Sequence, residues 1–444
     1  MRLGSKRVLA LLGAGILPIF LLSPPAVADE SVPGPPTGPA APVHPVLPVT
    51  GSTAAPVTPK GVQAQVGEIA RARALGRSAA IVLDPADGTV LLDVDGGRSL
   101  VPGSVVKLAT AAAVLATLGP EARIATTVVS DGSSTITLVG GGDATLSMGG
   151  GPEGTASLAD LAKQVADQVQ AGPVDLRFDD SLFSGPRLGP DWGRDYPKVG
   201  VAAPVTALMV DQGRVRPGSL SRVQDPALDA AQRFRKLLKA NGVKVTSLKP
   251  GSAPADGTQI ASVQSPVMAT LVERMLTDSD NDLAEALAHL AGGAAGFKAS
   301  FAGGAKAATK VLADLGVSTQ GLRLADGSGV SAENRMTALT LAELLALVAT
   351  GASPELSPIS SGLAVAGFTG TLTDRFTGPE RTAAGYVRAK TGTLTGVTSL
   401  AGLVPDTSGR LLSFALLAND IPSIDKARSL GDEFAAGLAA CGCR

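Results

Sequence analysis

The chain has 444 residues, of which 45% are hydrophobic and 17% charged, and its formal net charge is −1. Such a length and composition describe a globular protein with room for two or three domains, and exclude a disordered polymer. A net charge this close to zero leaves no electrostatic footprint for nucleic acid, so none is expected as a partner.

At the N-terminus Arg2, Lys6 and Arg7 precede an uncharged apolar stretch from Val8 to Leu22, and Ala26-Val27-Ala28 follows as a small-x-small cleavage site. Residues 1–28 therefore read as an export signal cut after Ala28, which places the chain in the cell envelope or outside the cell. An uncleaved anchor is the rival reading, but Pro18 interrupts a stretch already shorter than the roughly 20 apolar residues that span a bilayer. No stable membrane span is expected after cleavage. Residues 29–60, rich in Pro, Ala, Val, Gly and Thr, favour extended chain over a packed core and read as a linker.

Folded structure is expected from Gly61, with a helical pattern through "VQAQVGEIARARALG" and a hairpin made of "AAIVL", the turn "DPADG" and "TVLLDV". The run "LATAAAVLATLG" after Lys107 is a strong helix former that ends at Gly119-Pro120, which puts Ser104 at the helix start. Over residues 124–258 short β-like runs ("ATTVVS", "STITLVG", "VDLRFDD") alternate with turn clusters and helical pieces such as "PALDAAQRFRKLLKANG". This segment reads as a smaller α/β domain inserted into a principal domain of residues 61–123 and 259–444. Beyond it the pattern is mostly helical until "AGYVRAKTG", "VTSLAGLV" and "RLLSFALLA", which read as antiparallel strands closed by a last helix from about Ser423. The expected fold class is α/β in the α+β sense. The two cysteines, Cys441 and Cys443, are too few for a disulfide framework or a zinc site; export would let them oxidise to a small ring, but their tail is expected to be mobile.

Common hydrolase signatures are missing. His44 lies in the linker, and His289 falls on the amphipathic run "NDLAEALAHLAGG", where a packed histidine is expected rather than a member of a Ser-His-Asp triad. There is no G-x-S-x-G, no H-E-x-x-H and no G-x-x-x-x-G-K-[ST], so no metal and no cofactor are expected; the glycine runs "GGGDATL" and "MGGGPEG" read as turns. A serine-lysine scheme remains. Ser104-Val105-Val106-Lys107 places both side chains on one helix face, at an N-terminus whose partial positive charge favours a developing alkoxide. Ser423-Ile424-Asp425-Lys426 has the same spacing, but it comes after two further motifs and reads as a chance match. Those motifs are Ser279-Asp280-Asn281, the one S-x-N in the chain, and Lys390-Thr391-Gly392, the one K-T-G. Alone, each has a bland reading as a helix cap or a polar strand end. Together they follow Ser104 in the order required of a penicillin-recognising serine enzyme.

On these motifs, and on "LVGGGDATL", "DDSLFSGPRLGPDW", "APVTALMVDQG", "ADGSGVS" and "VAGFTGTL", the chain resembles the class C low-molecular-mass penicillin-binding proteins. These are the D-alanyl-D-alanine carboxypeptidase/endopeptidase family of serine peptidases (S13 type). The resemblance covers nearly everything after Gly61. It implies a β-lactamase/transpeptidase-like domain, with an antiparallel sheet flanked by helices and an all-helical part. It implies Ser104 as nucleophile, Lys107 as its base, Ser279 as proton relay and Asn281 as the group that orients Lys107 and the substrate. Lys390, Thr391, Gly392 and Thr393 would bind the substrate carboxylate, and the amides of Ser104 and Thr393 would form the oxyanion hole. The implied substrates are peptidoglycan stem peptides ending in D-Ala-D-Ala, with β-lactams as covalent inhibitors.

Two departures stand out. The interval from Ser104 to Ser279 looks shorter than in members with a nested domain, which implies a single insertion, and Ala332 stands after "DGSGVS" where the family often has a basic residue. Other readings keep the motifs but fit less well. A serine β-lactamase would share the acyl-enzyme step, yet no Glu-x-x-x-Asn follows Asn281 and the large insertion after Ser104 argues against it. A non-catalytic wall-binding protein would have little reason to retain Ser104, Lys107, Ser279, Asn281 and Lys390 together.

Overall fold

A computed structural model describes residues 56–150, 154–169 and 172–444; the export signal and nearly all of the linker lie outside these residues. In chain order, β1 (Arg77–Leu83) and β2 (Val90–Val94) are followed by β3 (Ala125–Ser130), β4 (Thr135–Val139), β5 (Pro173–Asp179), β6 (Lys244–Pro250) and β7 (Thr258–Gln264). The last four strands are β8 (Ala364–Val365), β9 (Arg388–Leu394), β10 (Val397–Pro405) and β11 (Leu411–Asn419). Two sheets result. One is antiparallel throughout, in the order β2-β1-β11-β10-β9-β8; the other is mixed, in the order β6-β5-β4-β3-β7.

The first sheet is covered on both faces, and β11 shows how a sequence achieves this. Its odd-numbered residues Leu411, Ala415 and Leu417 enter one apolar cluster, while Leu412, Phe414, Leu416 and Ala418 enter another. Period-two alternation thus divides one strand between two cores. The first core is roofed by the helices Lys107–Leu118, Asn281–Ala294 and Ala338–Thr350, the second by the helices Pro59–Ala70 and Ile424–Ala439. Lys107–Leu118 is buried at every position from Lys107 to Leu115, as expected of a helix that is apolar all round.

The second sheet is continuous in the chain and has its own apolar cluster. Parallel neighbours need crossovers, and the helices Leu158–Gln168 and Pro226–Ala240 supply them for β4-β5 and β5-β6. Each buries one stripe: Leu158, Leu161, Ala162 and Val165 in the first, and Ala227, Ala230, Ala231, Phe234 and Leu238 in the second. The fold is therefore α+β, with an antiparallel sheet between helical layers beside a smaller α/β unit.

Three expectations need correction. The first helix begins at Pro59, with Thr58 Oγ1 accepting from Gly61 N at 3.1 Å, so the end of the Pro-rich stretch is a Thr-Pro helix start and not linker. Strand β7 pairs with β3 and runs on to Gln264, beyond the expected limit at residue 258; its half-exposed edge position gave the sequence little alternation to read. The C-terminal residues are not a mobile tail. Cys441 and Cys443 are disulfide-bonded to each other and buried in the second core, where Thr58 N donates to Cys443 O at 2.8 Å. Among the described residues no single helix is long and apolar enough to cross a membrane.

Candidate active site

The turn Pro102-Gly103, with Gly103 at φ +61°, feeds a short 3-10 segment, Gly103–Val106, that continues into the helix from Lys107. Ser104 and Lys107 then share a face, and Lys107 Nζ lies 3.1 Å from Ser104 Oγ. The same amine donates to Asn281 Oδ1 at 2.7 Å and to Ser328 O at 2.7 Å. As an ammonium it therefore uses all three donors, and the longest contact is the one to serine. When one proton leaves, the lone pair belongs at that longest contact, facing the serine hydroxyl. Lys107 is wholly buried, and burial brings its pKa down to about 8, against the opposing pull of the Glu285 and Asp326 carboxylates.

Asn281 opens the helix Asn281–Ala294, which Asp280 caps by accepting from Leu283 N at 3.0 Å. Its amide is fixed at both ends, since Nδ2 donates to Val201 O at 2.8 Å while Oδ1 accepts from Lys107. Ser279 sits in the turn before it at φ +57°, a left-handed conformation uncommon for a residue with a side chain. The turn brings Ser279 beside Asn281, but its hydroxyl makes no hydrogen bond with any described residue, Lys107 and Ser104 included.

Lys390-Thr391-Gly392 lies on β9, whose backbone runs against the serine turn. A Cβ on Gly392 would come to 2.5 Å from Pro102 O and 3.2 Å from Ser104 N, and one on Gly103 to 3.1 Å from Thr393 N. Glycine at both positions is what lets the strand and the turn approach, and it places the amides of Ser104 and Thr393 on either side of one contact. Thr391 Oγ1 donates to Thr371 Oγ1 at 2.9 Å, and Thr393 is exposed at the site. Lys390 is wholly buried, and among the described residues its amine bonds only to Thr391 O, at 3.0 Å. Burial first, and the charge of Lys107 second, hold Lys390 well below the usual lysine range.

Several supports were not anticipated. Glu285 is wholly buried one turn beyond Asn281, and its carboxylate accepts from Ser328 N at 2.7 Å and from Gly327 N at 3.1 Å. It therefore holds the loop whose Ser328 carbonyl receives Lys107; burial pushes its own pKa up to about 8, with Asp326 adding to the rise. Asp326 accepts from Gly329 N at 2.8 Å and from Trp192 Nε1 at 2.9 Å, tying that loop to "GPDW". The i to i+4 spacing of Asn281 and Glu285 was a readable signal that they share a face. His289 is the packed residue expected: Nδ1 contacts Glu285 O at 2.8 Å, and its ring packs on Phe183 and Phe301. Burial draws it down to about 4, so it is neutral near pH 7. Ser423 is a helix cap accepting from Lys426 N at 3.4 Å. Among the described residues no group of three or more His, Cys, Asp or Glu side chains could hold a metal ion.

A buried ion pair anchors the start of the Asn281 helix. Asp282 Oδ2 accepts from Arg222 Nη2 at 2.9 Å and Nε at 3.1 Å, while Oδ1 accepts from Ala203 N at 2.6 Å. Arg222→Ala would leave this carboxylate buried without its cation, and should cost about 3 kcal/mol or more in a urea denaturation series. A loss below about 1 kcal/mol would show that the pair does not hold the helix start.

The sequence profile of the D-Ala-D-Ala carboxypeptidase 3 (S13) family matches residues 62–221 and 216–438. Carboxypeptidase DacB of Mycolicibacterium smegmatis is 37% identical over 379 residues, which cover 83% of this chain and 82% of the relative. D-alanyl-D-alanine carboxypeptidase of Actinomadura sp. is 28% identical over 421 residues, 77% of each chain. Penicillin binding protein 4 of Haemophilus influenzae superposes with a TM-score of 0.70 at 21% identity, covering 86% of this chain and 98% of its own, a likeness of fold. Since the profile spans most of the chain and relatives align along most of both lengths, the chain belongs to the D-Ala-D-Ala carboxypeptidase 3 (S13) family and is a serine peptidase.

Proposed function

We propose that Ser104 is the residue that becomes acylated and that Lys107 is the base that activates it. One observation carries this reading: the 3.1 Å contact between Lys107 Nζ and Ser104 Oγ, made by a buried lysine brought down to about 8. Ser104 Oγ attacks the carbonyl of the penultimate D-alanine, and the O–C bond forms as the hydroxyl proton passes to Lys107 Nζ. The amides of Ser104 and Thr393 stabilise the oxyanion, a donor of this kind being worth about 3 kcal/mol. The intermediate expels D-alanine, whose amine takes up the proton by way of Ser279, and water then hydrolyses the ester by the reverse steps. Asn281 holds Lys107 in place. Lys390, Thr391, Gly392 and Thr393 hold the substrate's terminal carboxylate along β9.

The substrate in this reading is a peptidoglycan stem peptide ending in D-Ala-D-Ala, and β-lactams acylate the same serine. Its support is the family membership, together with a structure of the H. influenzae protein complexed with a β-lactam. The segment from β3 to β7 serves as an inserted domain beside the site. Residues 1–28 export the chain, and the stretch that follows spaces it within the envelope.

The test is the intact mass of the protein during incubation with benzylpenicillin, with Ser104→Ala beside it. A lasting single adduct is expected for the wild type and none for the variant, whose peptidase kcat should fall by about 10⁴ or more. Penicillin turnover with only a transient adduct would favour a β-lactamase, and neither adduct nor turnover would overturn the reading.

A further inference from the structure

The lysine of the K-T-G motif acts on the site from a buried position. Lys390 is wholly enclosed, and its amine is bonded to the carbonyl of the next residue. A second cation stands at the exposed Thr393, near the end of β9. Arg428, on the C-terminal helix Ile424–Ala439, donates from Nη2 to Thr393 Oγ1 at 3.3 Å. The resemblance to the family does not carry this residue, which lies far beyond the three motifs.

We propose that Arg428 is a substrate-binding residue that receives the terminal carboxylate jointly with Thr393. The inference rests on the acyl-enzyme reading above and names a further residue in that site. Three features support it. Arg428 is half-buried and pairs with no carboxylate among the described residues, whereas two cations near it are matched: Arg375 with Asp432 at 2.6 Å, and Lys426 with Glu433 at 3.9 Å. The helix turn that carries it is held, since Arg375 Nη2 also donates to Arg428 O at 3.2 Å. Its one side-chain hydrogen bond among the described residues uses a lone pair of the Thr393 hydroxyl and leaves that hydroxyl's proton free to donate. A carboxylate seated between the two would accept O–H from Thr393 and N–H from a guanidinium, whose fork suits it and whose charge does not titrate.

The experiment compares the wild type with Arg428→Gln and Arg428→Lys on two pairs of probes. These are a synthetic N-acyl-L-Lys-D-Ala-D-Ala peptide and its C-terminal amide, and benzylpenicillin and its methyl ester. For Arg428→Gln the KM of the acid peptide should rise about tenfold with kcat within twofold. Acylation by benzylpenicillin should slow by a similar factor, the methyl ester and the amide should be unaffected, and Arg428→Lys should recover part of the loss. Equal losses on acid and ester, or no loss on either, would overturn the proposal. Absence of acylation in the wild type itself would instead strike at the acyl-enzyme reading.

Discussion

Lys107→Met should slow acylation by benzylpenicillin by about 10³-fold, measured as the second-order rate constant for adduct formation. Methionine fills the space left by the lysine but cannot accept the serine proton, and among the described residues the one side-chain hydrogen bond of Ser104 is with Lys107. The same variant has a signature in stability. In the unfolded chain the lysine titrates at its ordinary value of 10.5, and in the fold at about 8. Between those values the unfolded state binds more protons, so wild-type stability rises with pH across that window. The charged lysine is penalised below about pH 8, and the penalty is gone above 10.5. The stability of the wild type relative to Lys107→Met should therefore climb by about 3 kcal/mol from pH 7 to 10.5. A flat difference would mean that Lys107 is not depressed by burial. Acylation at the wild-type rate would mean that another group is the base.

How much of this was legible in the sequence depends on the range of the interaction. Ser104 and Lys107 are three residues apart, and a helix converts that spacing into a contact, so the pair could be read directly. Asn281 and Gly392 could be ranked by motif and order, but what they touch could not: the Asn281 amide bridges Lys107 to Val201, and Gly392 makes way for Pro102. Glu285 was passed over because a glutamate in an amphipathic run reads as a solvated face, and only the packing of the "ADGSGVS" loop against that helix makes it a buried acceptor. The two buried lysines differ for a related reason. The Glu285 and Asp326 carboxylates oppose the effect of burial on Lys107, whereas the charge of Lys107 adds to it on Lys390, a difference set by tertiary neighbours. Arg428 follows a serine-lysine spacing rightly set aside as chance, which gave no reason to look further at the helix that carries it. The Thr-Pro helix start was hidden by the proline content around it, and the buried cystine by the habit of expecting free ends.

Glu285→Gln separates the two things this carboxylate does. As a structural acceptor it takes bonds from Ser328 N and Gly327 N on both oxygens. An amide can offer one oxygen only, and its NH₂ would face a donor, so the variant should lose about 1–3 kcal/mol. Glu285→Ala, which leaves both N–H groups buried without an acceptor, should lose about 3 kcal/mol or more in the same denaturation series. As a charge, Glu285 opposes the effect of burial on Lys107 and keeps the ammonium form populated to higher pH. The base is competent only when neutral, so acylation should rise with pH through about 8 in the wild type. With the carboxylate replaced by an amide, Lys107 should lose its proton at lower pH, and the acid limb of the profile should move down. Because Glu285 is itself raised by burial to about 8, the wild-type limb belongs to the pair and should be broader than a single titration. Glu285→Gln should narrow it to one. An unmoved limb in a folded variant would show that Glu285 is already protonated where the enzyme works. Its part in the site would then be confined to holding Ser328 under the lysine.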